Sequence, residues 1–433
     1  MTVNIIITLL LMVFIIVMLF QNVSSPGTIF MLGPIAACAL MGYSPKEING
    51  FIGSGLQSVG GTLFLMVTAV LYFGILHEAG VFKALVKFVM GFLGNRVSGT
   101  LAVTAIISFL TQLDGSGATT ALCTIPTMKP IFEKEHIRKE SLLLVESLAS
   151  GIFCLLPWAP GLVEASSYVG VEAYDVFLFL IPLIVFSVIL LLLLCVFLAV
   201  LEKRRGAGLT DEEFIQVKAE LDEKLELPLG TKAAVFDGVF TLVLMALLLA
   251  GKLPSNVGFG FGLAVLLLVN FHSGKAQTEY MKRQAYLALN MAFTMLGVAV
   301  LVGVNNGTNA LGDLAVWISQ NIPAELLGHL PVFLCLLSML LSITLGSAKN
   351  SMILPAVIPL VTPLGFDSVQ VVGAVFATGV ISANLSLFNA SPYLALGLAG
   401  VDMKDHLKYS LLPVYGFSLA MTAFMLITGM LSF

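Results

Sequence analysis

The chain has 433 residues, 58% of them apolar and only 11% Asp, Glu, Lys or Arg, for a net charge of −4. Soluble proteins carry about 25% charge, so a water-facing shell cannot be built here. The 21 basic residues set against 25 acidic ones also leave no basic surface for a nucleic acid. What remains is an all-α polytopic membrane protein with the lipid bilayer as its main surroundings.

In chain order, Asn4 to Phe20 reads as a first membrane helix, because no Lys or Arg precedes it and no small-residue cleavage site follows. Apolar runs near 26–42 and 60–80 come next. The stretch 98–132 has two apolar arms around a Gly/Ser-rich break, each too short to cross, which predicts a re-entrant hairpin. Residues 141–168 are long enough to span but interrupted by proline, and 174–201 is an unbroken run. Segment 202–232 holds 14 of the 46 charged residues and reads as a cytoplasmic linker. It predicts one amphipathic helix with Thr210 as cap and Asp211 and Glu212 in the first turn. Further runs lie at 233–251, 255–270 and 284–304. A second hairpin follows at 331–363, then an interrupted span at 368–396 and a last run at 409–432. Asn305-Asn306-Gly307 reads as an outer loop turn. His77-Glu78 and Asp237 read as interfacial helix ends. The five cysteines (Cys38, Cys123, Cys154, Cys195, Cys335) lie in apolar runs at spacings that suit neither a disulfide nor a metal site.

The count is ten crossings plus two re-entrant hairpins, the alternative being hairpins that span twice. With both termini outside, 18 of the 21 bases fall inside and only Lys46 and Lys252 outside, as the positive-inside rule requires. The base left over, Lys349, sits at the second hairpin tip.

The chain also repeats itself. Ile125-Pro126 with Pro130 recurs as Ile358-Pro359 with Pro363, and Val169-Gly170-Val171-Glu172 recurs as Ala399-Gly400-Val401-Asp402, at offsets of 233 and 230. Five crossings per repeat is odd, so the second copy must be inserted upside down. The expected fold is therefore two inverted repeats of five transmembrane helices plus one re-entrant hairpin each, with discontinuous helices, over 1–201 and 233–433. This is the architecture of secondary transporters, whose sites lie where broken helices meet.

The first tip, Leu113 to Thr120, frees backbone N–H groups beside the Ser116, Thr119 and Thr120 hydroxyls. A half-helix starting near Ala118, after Gly117, aims its positive end at an anion. Asp114 suits a coupling cation or proton, since an intramembrane carboxyl is costly unless used or paired. The second tip offers Ser347, Lys349, Asn350 and Ser351, with Lys349 expected to meet Asp114 or a substrate carboxylate. The breaks supply Pro157 and Trp158 in one repeat and Asn384, Ser386, Asn389 and Ser391 in the other, as substrate hydrogen-bonding groups. Glu146 could carry a proton on the inner half, pair with a nearby base or touch cytoplasmic water. Glu164 reads as a solvated outer rim residue.

Tyr72-Phe73-Gly74-Ile75, the Leu113-to-Thr120 turn, Leu155-Leu156-Pro157-Trp158, and Gly400-Val401-Asp402 with Asp405-His406 resemble the citrate–metal/proton symporter (CitMHS) family of the ion transporter superfamily. The resemblance covers nearly the whole chain. It implies a bacterial inner-membrane symporter of di- or tricarboxylates, with a scaffold and a moving part, often a homodimer. Three departures stand out: Ser116 replaces the second acid of the turn, Ala159-Pro160-Gly161 with Glu164 replaces a glycine pair and a base, and Ala348-Lys349-Asn350 replaces an Asn-Asp pair. They favour a free carboxylate or hydroxy acid with proton coupling over a metal complex, and no resident cofactor is expected. The competing readings are an intramembrane hydrolase, which lacks a nucleophile paired with a base, and a channel or sensor, for which the linker is too small an output domain.

Overall fold

The computed structural model describes residues 3–21, 24–216, 231–321, 323–345, 354–386 and 390–431, and no strand occurs among them. The helices are α1 (Val3–Phe20), α2 (Pro26–Leu40), α3 (Pro45–Glu78), α4 (Val81–Met90), α5 (Val97–Thr111) and α6 (Gly117–Lys134). They continue as α7 (Lys139–Phe153), α8 (Pro160–Ser167), α9 (Ala173–Arg204), α10 (Thr231–Leu249), α11 (Ser255–Asn270), α12 (Gly274–Thr308) and α13 (Ala310–Asn321). The last are α14 (Ala324–Gly328), α15 (Leu330–Leu345), α16 (Leu354–Val357), α17 (Ser368–Val380), α18 (Ala390–Ala399) and α19 (Met403–Ile427). Among the described residues six helical stretches are long and apolar enough to cross a membrane, and shorter apolar helices such as Pro26–Leu40 and Ser255–Asn270 accompany them.

The helices sort into two bundles that each draw on both ends of the sequence. In the first, α12 lies along α3 and α2, α11 packs on α3 and α10, and α1 packs on α2 and α13. In the second, α5 packs on α6, α7 and α9, α7 packs on α6, α9 and α19, α18 packs on α6, and α17 packs on α9, α15 and α19. Short α4 touches α3 and α10 on one side and α5 and α6 on the other, bridging the two.

Small residues hold the first bundle together. A Cβ on Gly55 of α3 would collide with the Ala299 carbonyl of α12, and one on Gly303 with the Phe51 carbonyl. Helices in lipid approach this closely only through such residues, because no hydrophobic force drives apolar faces together there. The contact explains two departures from the hydropathy reading. α3 starts at Pro45 rather than near residue 60, opened by a Ser44–Glu47 capping box with proline in its first turn. Asn305-Asn306-Gly307 is not a loop turn: it lies inside α12, which ends at left-handed Asn309 (φ 51°). Gly307 sits against the Phe51 ring, so the helix must continue to keep that contact.

Two charged positions also differ from expectation. Asp237, expected simply as an interfacial helix end, is fully buried against its neighbours, and its Oδ1 accepts from Asn270 Nδ2 at 3.2 Å. Glu202, expected in the linker, lies in the last turn of α9 and is fully buried. Its carboxylate accepts from Arg138 Nε at 2.6 Å, Ser141 Oγ at 2.9 Å and Arg205 Nη1 at 3.1 Å. Ser141 also meets Tyr409 Oη at 2.7 Å, and the Arg138 guanidinium lies 4.6 Å from the Tyr409 ring centre. The cluster thus ties α7, α9 and α19 at one end of the second bundle. Arg138→Ala is expected to cost about 1–3 kcal/mol, because it strips a strong donor from a buried carboxylate. A lowered melting temperature in detergent checks this, and an unmoved one refutes it.

Beyond α9 the chain folds back on the same end. Gly208 N donates to the Glu135 carbonyl at 2.9 Å, and Asn95 Nδ2 donates to Asp211 Oδ1 at 2.6 Å. Residues 211–216 are helical, and Thr210 caps them with Glu213 in a capping box. The Thr210 N–H and hydroxyl hold the Glu213 carboxyl below its ordinary range.

Candidate functional site

The tip between α5 and α6 is built by a chain of local bonds. A 3₁₀ turn, Gln112–Asp114, ends α5, and Gly115 takes a left-handed conformation (φ 72°) that other residues rarely adopt. Asp114 Oδ1 then accepts from Ser116 N at 2.8 Å, and the same carboxylate bonds Thr119. Ser116 caps α6 by accepting from Thr119 N at 3.4 Å. Thr120 is buried and donates to Gln112 Oε1 at 2.5 Å, while Gln112 Nε2 reaches Cys154 Sγ at 3.3 Å. Gln112 was not singled out from the sequence, although a lone amide two residues before Asp114 in an apolar arm was a readable signal.

The tip is clamped by the two helix breaks. Between α7 and α8 the chain leaves helix over residues 154–159. There Trp158 Nε1 donates to the Leu113 carbonyl at 2.8 Å, which satisfies a carbonyl freed at the end of α5. Gly115 sits directly on the Pro160 ring. From the other side, a Cβ on Gly117 would lie 2.6 Å from Ser391 Oγ, so the start of α18 touches the start of α6. Between α17 and α18, Asn384 lies in a 3₁₀ turn and donates to the Ser147 carbonyl at 3.2 Å and Ser150 Oγ at 2.7 Å. Ser386 is buried and partnered. The structure therefore brings together Asp114, Ser116, Gly117, Thr119, Thr120, Pro157, Trp158, Asn384 and Ser391. Ser347, Lys349, Asn350, Ser351 and Asn389 lie outside the described residues.

Glu146 is buried in α7, and among the described residues its carboxylate accepts only from the Ser147 hydroxyl, at 3.5 Å. Contact with bulk water and pairing with a base, both open from the sequence, are therefore not its arrangement among the described residues. Glu164 is half-buried and not a free rim residue: its Oε1 accepts from Tyr168 Oη at 2.6 Å.

A crevice of about 420 Å³ opens between the two bundles. Ser58 and Thr62 of α3, with Ser255 and Asn256 at the start of α11, form one wall. Pro157, Ser167 and the stretch from Gly170 to Tyr174 form the other, so the crevice reaches the α7–α8 break. Beside that break, Trp158 packs edge-on against Phe259, which in turn meets Tyr72 and Phe73. Sequence reasoning missed this wall, because Ser58, Thr62 and Asn256 are ordinary small polar residues in helices far apart in the chain.

Two helical bundles of apolar, membrane-length helices, with broken helices meeting between them, define a multi-pass membrane protein. The chain belongs to the citrate transporter (CitMHS) family, whose sequence profile matches residues 1–282. It is similar to the citrate transporter of Bacillus subtilis (strain 168), 26% identical over 402 residues, covering 92% of this chain and 93% of that one. It is also similar to the Mg(2+)/citrate complex secondary transporter of the same organism, 25% identical over 409 residues and 94% of each chain. In fold it resembles the Alcanivorax borkumensis YdaH transporter, with a TM-score of 0.59 at 18% identity over 89% of this chain and 88% of that one. Neisseria gonorrhoeae MtrF, an antimetabolite efflux pump, gives a TM-score of 0.55 at 16% identity over 87% and 81%.

Proposed function

We propose that the protein is a secondary active transporter of small citrate-like carboxylates, coupled to a proton or cation and working by alternating access. The observation that carries the mechanism is the crevice between the bundles, which ends at the α7–α8 break. A substrate entering there reaches the broken helices, and sliding of one bundle past the other would carry it to the opposite face. The first bundle, with its glycine contacts between backbones, suits a fixed scaffold. The second, bearing both breaks, suits the moving part.

The inverted-repeat reading, with hairpins at 98–132 and 331–363 and broken helices at 141–168 and 368–396 flanking the 202–232 linker, finds support in local geometry. Gly170 and Gly400 share the same left-handed φ of 71°, and each is followed two residues later by the N-cap of a long helix, Glu172 or Asp402. A carboxylate is proposed to rest at the tips, on the α6 N-terminus with Ser116, Thr119, Lys349, Asn350, Ser351 and Ser391. Asp114 or Glu146 carries the coupling charge. Trp158, Thr120 and Asn384 support the site by spending their polar groups on backbone and side-chain partners. In this reading the protein is a homodimer in a bacterial inner membrane, with its termini outside and the crevice facing outward.

The relatives' names support citrate or a magnesium–citrate complex, whereas Ser116 and Lys349 favour a free carboxylate. Uptake of labelled carboxylates into proteoliposomes separates these. Accumulation should require an inward proton gradient and should not rise with added Mg²⁺. Uptake that needs Mg²⁺ would move the substrate to the metal complex, and ion conductance without carboxylate uptake would refute the transporter reading.

A further inference from the structure

From the sequence, Glu146 has three open roles (proton carrier, partner of a base, contact with water) and His406 belongs only to a motif of the family resemblance. In the structure both line one small space, with Ser147, Asn384 and Ser391, where α7, the α17–α18 break, α18 and α19 meet. Its free volume, about 10 Å³, is about the least that admits one water molecule. Glu146 is 3% exposed and His406 2% exposed. His406 is held in place from two sides: Ser410 Oγ lies 3.2 Å from Nδ1, and the ring bonds the Asn384 backbone. Asn384 is fixed in turn on Ser147 and Ser150 of α7.

The other ionisable groups on the surrounding elements are committed elsewhere. Arg138 pairs with Glu202, Tyr409 bonds Ser141, and Lys129 Nζ donates to the Leu398 carbonyl at 2.9 Å. Asp114 is engaged by Ser116 and Thr119 at the tip. Lys404, Asp405 and Lys408 face outward on the first turns of α19. Among the described residues the enclosed carboxyl and imidazole therefore have only each other as ionisable neighbours across that space.

We propose that Glu146 binds the coupling proton with His406 positioning the groups around it, an assignment that rests on the transporter reading and selects Glu146 over Asp114. A lone carboxylate is costly in a dry site. One proton taken from water bonds to the carboxylate oxygen and neutralises it, beside the Ser147 hydroxyl. Release to water on the other face breaks the same O–H bond. Ser391 links this event to the substrate, because it borders the proton site and also touches Gly117 at the start of α6. His406 acts as a positioning residue for the proton on Glu146. Its ring holds the Asn384 backbone, and Asn384 is fixed on Ser147, the partner of Glu146, so its removal should loosen the site and weaken proton binding.

The test uses the full chain in liposomes and two modes of transport: accumulation driven by a proton gradient, and exchange of labelled for unlabelled carboxylate at equal pH. Glu146→Gln should lose at least about tenfold in driven accumulation while retaining exchange. His406→Gln should retain both, with the pH midpoint of driven uptake moved down by about one unit. Should Glu146→Gln fail to fold, Glu146→Asp keeps the charge and should keep driven uptake with a displaced midpoint. Unchanged driven uptake and an unmoved pH profile in these variants would overturn the proposal, as would equal loss of both modes. A wild type that exchanges no carboxylate would instead fail the transporter reading itself.

Discussion

Gly55→Val should leave almost no folded protein in the membrane, whereas Gly60→Ala, one turn and a little further along the same helix, should be recovered at wild-type level. At Gly55 any Cβ runs into the Ala299 carbonyl, and at Gly60 nothing lies within 4 Å. The obstacle at Gly55 is backbone on a second helix, which cannot rotate away as a side chain would. α3 and α12 must then separate along their length, or one must bend. Overpacking in a core typically costs about 1–3 kcal/mol, and sometimes more. This contact belongs at the upper end, because separation also loosens Gly303 from Phe51 and Gly307 from the Phe51 ring. The measurement is the monodisperse fraction after detergent extraction, with melting temperature where enough survives. Normal recovery of Gly55→Val would mean that the two helices are not held together by this close approach.

How much of the molecule was readable in the sequence depends on what each signal rested on. The first tip was legible, since two glycines and a serine inside an apolar arm mark a place where the backbone leaves helix. The Pro157-Trp158 break was legible because proline removes a backbone donor from a span that otherwise needs every one. α9 and α11 fell where hydropathy put them, because lipid-facing runs must be apolar throughout. The first half of α3 was not legible. Its glycines and serines lower the hydropathy of the segment, yet those same residues let α12 approach. Asn305 to Gly307 carried a turn composition, yet they lie within α12, where Gly307 packs against the Phe51 ring. Asp237 and His406 lay near helix ends in charged company, so burial could not be told from exposure. The crevice walls come from helices remote in sequence, and no local pattern in a single chain brings such residues together.

At the tip itself, Gly115→Ala should leave the protein folded but cut uptake about tenfold to a hundredfold. Two separate costs meet at this position. Its φ of 72° strains any residue with a side chain, by roughly 1–3 kcal/mol, and a Cβ there also meets the Pro160 ring at the start of α8. About 1.4 kcal/mol is a factor of ten in population, so the Asp114–Ser116–Thr119 geometry would be rarely occupied, while the core of the second bundle stays intact. Melting should fall by only a few degrees while uptake drops, which separates a site defect from unfolding. Companion variants divide the two costs. Gly115→Asn relieves mainly the backbone strain, since asparagine tolerates the left-handed region. Gly115→Ala combined with Pro160→Ala relieves mainly the collision. If the clamp by the α7–α8 break matters more than the turn, the double variant recovers more uptake than the asparagine variant, and the reverse order would place the constraint in the turn alone. Wild-type uptake by Gly115→Ala would show that this tip does not shape the transport site.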